Sequence, residues 1–554
     1  MRKLMTGKQA ILETLKEQNI EYIFGNPGTS EGPLIDMLGD YPNFKYIMAL
    51  QESVAMGMGE SYARSTNSTG FVSLHVDSGL ANGIALMLDA LNTGTPLVVT
   101  SANYDSRKIN ETKTDLAELV RPVTKWAVEL DLPDQIPSAL RRAFNEANSH
   151  PKGPVYVGFT SNALEGMAEM TITRSLDKFD NVLPDPIAIK QASEKLIQSK
   201  NPVLILGDRV SDDQANDEAV KFAELIGLPV YQSRGAEVSF PSSHPQYMGI
   251  HTLRSQESRD ELKNHDLVLA VGMDPFDELF YWGDVILDDH ANLIHIDPIY
   301  SRVGKSEPTY LGIVSNCKAA LSQLNEVIGS QNSNHFSKRK TSTINEVKTR
   351  RNAYKTLVES QENWNSTPMS PARMMYEIAN SLPKNAIVVD DAISNRGALR
   401  NFIKAENRDD LRGVRGQSIG GGIGATMGTQ CAFPNQPVFG IIGDGSAMMT
   451  IQGLWTAAND NIPCKFIICN NGMYRVLKVN FNIYQKEVLD LDETAGENLL
   501  YSNFDTPFNV TEIAKGMGIT SERITDPSEI SNAIKRATDF KGPYLLDIVI
   551  DGSL

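Results

Sequence analysis

Four cysteines in 554 residues (Cys317, Cys431, Cys464 and Cys469) are too few for a disulfide framework, and Cys464 and Cys469 lack the paired spacing of a zinc site. They read as small core hydrophobes, and their scarcity suits a reducing cytoplasm. No apolar run reaches 18 residues, so no membrane-spanning helix is expected. The opening residues 1–8 are basic, yet they lead into an amphipathic helix carrying Ile11, Leu12 and Leu15 instead of an apolar signal core. A basic face is missing too: the formal charge is −16 and no cluster of Lys and Arg stands out, which argues against a nucleic-acid partner. What these absences leave is a cytoplasmic globular protein with neither membrane nor nucleic acid to bind. A buried anion site survives the exclusion, because a metal ion and backbone N–H groups hold a diphosphate without any basic surface.

The composition that is present, 41% hydrophobic and 22% charged, is that of ordinary globular proteins, and the length suggests about three domains. Residues 22–24, 44–50, 71–74, 97–100 and 155–159 read as strands between helical patterns, which implies a parallel sheet wrapped by helices. The pattern returns at 202–206, 228–231, 267–271 and 293–296, and again at 386–389, 438–442, 465–469 and 544–550. The fold class expected is therefore α/β, with three consecutive open domains of mainly parallel sheet. Their expected bounds are 1–180, 187–330 and 346–554, and the polar, aperiodic stretch 331–345 reads as a surface linker.

One constellation carries chemistry. The strand 438–442 runs into Gly443-Asp444-Gly445-Ser446, at the carboxyl end where open α/β sheets bind ligands. The glycines let backbone approach a ligand closely, and Ser446 opens the next helix, expected at 448–458, whose N–H groups favour anions. The following strand returns Asn470-Asn471-Gly472 to the same edge. Magnesium prefers hard oxygen ligands, and Asp444, Asn471 and a nearby carbonyl supply them. Either tripeptide alone is usually a β-turn; the two together, at adjacent strand ends, are more specific. Gly420-Gly421-Gly422-Ile423-Gly424 competes as a dinucleotide fingerprint, but it lacks the preceding strand that such a motif needs.

This GDG, two dozen residues, NN arrangement resembles the thiamine-diphosphate-dependent enzymes. The resemblance implies that Asp444, Asn471 and the Met473 carbonyl bind Mg2+, with Gly445, Ser446, Tyr474 and Ser394 at the diphosphate. It also implies that the Gly421 carbonyl and the Ile423 side chain bend the cofactor. Glu52, at the junction between strand 44–50 and the next helix, would be the carboxyl that activates its aminopyrimidine. In that family the two halves of the site come from neighbouring subunits, so a homodimer or homotetramer with sites at the interface is implied.

Within the family, residues 24–29, 49–52, 74–75, 82 and 153–157 are most similar to benzoylformate decarboxylase. The similarity implies that His75 is catalytic and that Thr29, Asn82 and Val476 contact substrate. The chain departs from that pattern at 274–282, where a second histidine is missing and Asp277 or Glu278 stands as the candidate acid. The function expected is non-oxidative, thiamine-diphosphate- and Mg2+-dependent decarboxylation of a small-molecule 2-oxo acid to an aldehyde through an enamine. The alternatives are a carboligase of the acetolactate-synthase kind, a flavin-linked oxidase, and a cofactor-binding protein without turnover. Arg475 and Lys478, after Tyr474, add the option of a substrate with a second anionic group.

Overall fold

The computed structural model describes residues 2–107, 113–174, 181–233, 237–276, 279–283, 285–287, 290–330, 334–361, 364–414 and 418–554. Three six-stranded, all-parallel sheets follow one another along the chain. In the first the strand order is Lys45–Met48, Tyr22–Gly25, Gly70–Ser73, Leu97–Asn103, Pro154–Thr160, Ala127–Leu130. The second runs Tyr247–Ile250, Val230–Gln232, Pro202–Leu206, Leu267–Val271, Asn292–Asp297, Leu311–Val314. The third runs Leu411–Gly413, Ile387–Asp391, Val438–Gly443, Lys465–Asn470, Tyr544–Val549, Thr520–Ile524. Central strands such as Leu267–Val271 and Pro202–Leu206 are buried throughout, as continuous apolar runs covered by helices on both faces must be.

In the first and third sheets the strand order reverses beside the central strands, and the carboxyl ends there open a crevice. The first and third units pack through the helices Glu52–Thr66 and Gly422–Ala432. A Cβ at Gly428 would lie 2.2 Å from the Met58 carbonyl oxygen, so only glycine permits this approach. Ser61 and Thr429 hydroxyls meet across it at 2.7 Å.

Two local readings change. Residues 334–359, whose first part falls in the expected linker, form a 26-residue helix. Its buried apolar residues, Phe336, Val347 and Val358, recur only once in eleven residues, three turns apart on one face, which is too sparse to register as helical periodicity. The helix expected at 448–458 is two short ones, Asp444–Met449 and Gly453–Asn459. The break falls at Thr450, whose hydroxyl donates to the Gly420 carbonyl at 2.6 Å and whose own carbonyl accepts from Gly453 N–H. Among the described residues no helix is long and apolar enough to cross a membrane.

Candidate active site

Register in the third sheet sets Asp391 beside Ile442 and Gly443 beside Cys469. The residues just beyond these strand ends therefore face one cavity, of about 940 Å³, bounded by Asp391, Ser394, Ile419, Asp444, Asn471 and Tyr474 among others. Asp444 opens the Asp444–Met449 helix; its Oδ1 accepts from Gly445 N–H at 2.8 Å and its Oδ2 from Gly472 N–H at 2.7 Å. Burial pushes this carboxyl up to about 6 against the pull of those amides. Asp391 lies deeper, and burial pushes it up to about 7 although Ser446 Oγ donates to it at 2.5 Å and Gly422 N–H at 3.0 Å. Met473, Tyr474 and Val476 reach the same cavity. The Tyr474 ring stands edge-on to Phe504 and so close to Gly445 that a Cβ there would come within 2.5 Å of it.

The expected bend residues sit elsewhere. Ile423 is fully buried inside the helix contact, against Gly453 and Val54, and the Gly421 carbonyl accepts the helical bond from Ala425 while facing Gly57. Ile419 is a bulky apolar side chain at the cavity, three residues before the Gly422–Ala432 helix begins. Gly420, at φ +98°, makes the turn between them, with its N–H bonded to Ser446 Oγ and its carbonyl to Thr450. A glycine-rich run does not reveal where the helix starts, and the resemblance therefore puts the role on Ile423.

In the first sheet Glu52 opens the Glu52–Thr66 helix and is 3% exposed. Asn26 Nδ2 donates to its Oε1 at 2.8 Å and Asn82 Nδ2 to its Oε2 at 3.0 Å. Asn82, expected at the substrate, thus holds Glu52 with its amide; its place on the neighbouring helix Ser78–Thr93 turns it to that carboxyl. His75 follows strand Gly70–Ser73, with its Nδ1 3.7 Å from Oε2 of buried Glu31. Burial pushes Glu31 up, and Ala102 N–H donates to its other oxygen at 2.6 Å. In the sequence Glu31 draws no notice and Asn26, within the matching stretch 24–29, no role; both lie on the same turn as Thr29, after the first strand of a parallel sheet, which is the signal that marks them. Thr29 is exposed. Thr29, Glu52, His75 and Asn82 do not line the cavity at Asp444, so one chain does not bring the two halves together. Of residues 274–282, Leu279 reaches the cavity wall, whereas Asp277 and Glu278 lie outside the described residues.

Three family models match in the order of the three sheets: thiamine pyrophosphate enzyme N-terminal TPP binding domain (residues 5–123), central domain (189–324) and C-terminal TPP binding domain (401–548). The chain belongs to the thiamine-diphosphate-dependent enzymes. Among its relatives, a benzoylformate decarboxylase of Pseudomonas aeruginosa is 28% identical over 98% of this chain and 99% of its own. A probable acetolactate synthase large subunit of Methanocaldococcus jannaschii is 25% identical over 99% of this chain and 92% of its own. A Rhodococcus jostii RHA1 thiamine-diphosphate-dependent 4-hydroxybenzoylformate decarboxylase has the same fold, with a TM-score of 0.85 at 24% identity and 99% coverage of both chains. The benzoylformate decarboxylase of Polynucleobacter necessarius does so at 0.86 and 22%, again with 99% coverage of both.

The residues of this thiamine-diphosphate enzyme fit the cofactor. Among the described residues the buried Asp391 Oδ1 and Asn395 Oδ1 have no hydrogen-bond partner, and both residues line the cavity. Asp444 and Asn471 offer hard oxygens at its rim, and the Ser446 helix start presents N–H groups to an anion.

Proposed function

We propose that this enzyme decarboxylates a 2-oxo acid to an aldehyde, with thiamine diphosphate and Mg2+ held between two copies of the chain. Asp444, Asn471 and the Met473 carbonyl would hold the metal, Ser394, Gly445, Ser446 and Tyr474 the diphosphate, and Ile419 the bend between the rings. When bound, the cofactor supplies an electron sink for the bonding pair released with CO2. The observation that carries the reading is Glu52, a buried carboxyl fixed by two amide donors at the carboxyl edge of the first sheet. There it exchanges a proton at Oε1 or Oε2 in a fixed orientation. Glu31 sets a carboxylate 3.7 Å from the His75 Nδ1, and the imidazole delivers a proton toward product. Leu279 is one of the middle-unit residues at the cavity, and the acid role is assigned to His75 on its place beside buried Glu31.

Because Glu52 stands outside the cavity of its own chain, the reading requires a homodimer or a larger assembly of dimers. The test is a panel of 2-oxo acids with thiamine diphosphate and Mg2+, scored for aldehyde and for 2-hydroxyketone. Aldehyde as the main product supports the proposal; 2-hydroxyketone as the main product moves the enzyme to carboligation, the reaction class of its acetolactate synthase relatives. Full turnover in Glu52→Gln would overturn the mechanism in either case.

A further inference from the structure

The cavity wall contributed by the middle unit contains Ile250, Thr252, Arg254 and Leu279. Among the described residues, four guanidinium groups border the cavity: Arg254, Arg396, Arg400 and Arg475. Arg396 Nε donates to Asp390 Oδ2 at 3.0 Å, Arg400 Nε lies 3.6 Å from the same oxygen, and Arg475 Nε donates to the Ser553 carbonyl at 2.9 Å. Arg254 is half-buried and makes no hydrogen bond or ion pair among the described residues. Of the two described carboxylates at the wall, Asp391 is engaged through its Oδ2 by Ser446 and Gly422 N–H, and Asp444 through both oxygens by backbone amides. A guanidinium does not shed its charge, so one partly withdrawn from water without a counter-charge is poised for an anion brought by the ligand.

Arg254 is also held in place. Ser255 caps the helix Gln256–Lys263, and the first turn of that helix is clamped to Glu487 by Gln256 N–H at 3.1 Å and Arg259 Nη2 at 2.8 Å. Glu487 lies in the turn that continues the Arg475–Ile483 helix, whose start carries Tyr474 as its N-cap and whose nine residues span roughly 13 Å at 1.5 Å per residue. Arg254 is thereby tied to the end of the helix away from Asp444 and Tyr474. Asn480, on that helix, lines the cavity with a buried Oδ1 that has no partner among the described residues.

We propose that Arg254 is a specificity-determining residue that selects 2-oxo acids carrying a second, distal carboxylate, with Asn480, which lines the same cavity, as a further polar contact. The proposal rests on the decarboxylase reading and adds a substrate class to it: a short dicarboxylic 2-oxo acid, reacting at its ketone while Arg254 holds the far end.

The test compares 2-oxoglutarate with 5-methyl-2-oxohexanoate, in which an isopropyl group replaces the distal carboxylate, on the holoenzyme of wild type, Arg254→Gln and Arg254→Lys. The wild type is expected to favour the diacid by at least about 10-fold in kcat/KM. Arg254→Gln should lower kcat/KM for the diacid by about 10- to 100-fold, chiefly through KM, and change the neutral acid by less than about 3-fold. Arg254→Lys should restore part of the loss. Calorimetric titration of 2-oxoglutarate into the holoenzyme should show the same order of affinities without relying on turnover. A wild type that prefers the neutral acid, or an Arg254→Gln variant that weakens both acids equally, overturns the proposal while leaving decarboxylation in place. Absence of CO2 release from every 2-oxo acid, benzoylformate included, overturns the parent reading, and unaltered calorimetric affinity in Arg254→Gln then overturns this one as well.

Discussion

Asn82 Nδ2 and Glu52 Oε2 lie 3.0 Å apart, an amide-to-carboxylate bond between two neighbouring helices that, with the matching bond from Asn26, fixes the plane of the Glu52 carboxyl. Orientation of that group is a separate contribution from its presence. Glu52→Gln should therefore lower kcat by about 10²- to 10⁴-fold, the span of a lost general acid or base. Asn82→Ala keeps the carboxyl and loosens it, so its loss should be smaller, about 10-fold, with KM little changed. Steady-state kinetics on the two variants and the double mutant check this. An Asn82→Ala loss that persists undiminished in the Glu52→Gln background would place Asn82 at the substrate instead.

Metal dependence follows from Asp444. Its carboxyl, held up near 6 by burial, gains most from a divalent cation in front of it. Thiamine diphosphate and Mg2+ at about 100 times Kd should stabilise the wild type by about 3 kcal/mol. In thermal melts the gain should vanish with a chelator and be absent from Asp444→Ala. A chelator-resistant shift would mean that the diphosphate is held without metal.

Ile419 and Ile423 separate binding from packing. Ile423 is fully buried among Val54, Met427 and Leu454, so Ile423→Ala should cost about 2–5 kcal/mol of stability. Ile419 is half-buried at the cavity, so Ile419→Ala should leave the melting temperature nearly unchanged and lower kcat/KM by about 10- to 100-fold. Denaturant titration and kinetics on the pair decide it, and the reverse pattern would return the cofactor contact to Ile423.

That pair also shows what a linear reading reaches. The alternation of apolar runs is enough for three parallel sheets, because buried strands must be apolar and their crossovers must be helical. Asp444 and Asn471 are legible because adjacent strand ends bring them to one edge whatever the loops do. The glycine run 420–424 is not legible in the same way: the choice between Ile419 and Ile423 depends on a positive φ at Gly420 and on where the helix begins. Glu31 escapes notice and Asn26 gains no role because their partners, His75 and Glu52, are more than 20 residues away. Arg254 gives no sign in the sequence, since its significance lies in having no partner among the described residues.

The pH dependence of stability has a marked contributor in the middle unit. His295 is fully buried in strand Asn292–Asp297, its Nε2 2.9 Å from the Met273 carbonyl and its Nδ1 without a partner. Burial pushes the imidazole down to about 4, aided by Arg209 and opposed by the Met273 carbonyl and Asp274. Its folded value is thus below the unfolded one, so the proton binds the unfolded chain more readily. The stability it permits is fully present above about pH 6.5 and is lost as pH falls toward 4, by up to about 3 kcal/mol. Neighbouring Asp297, pushed up to about 6 by burial, acts with the opposite sign and is common to wild type and variant. His295→Gln keeps a donor for the Met273 carbonyl and cannot take up the proton. Urea titrations at pH 7.5 and pH 5 should show wild type losing stability relative to His295→Gln at the lower pH; an identical difference at both values would mean that His295 does not titrate between them.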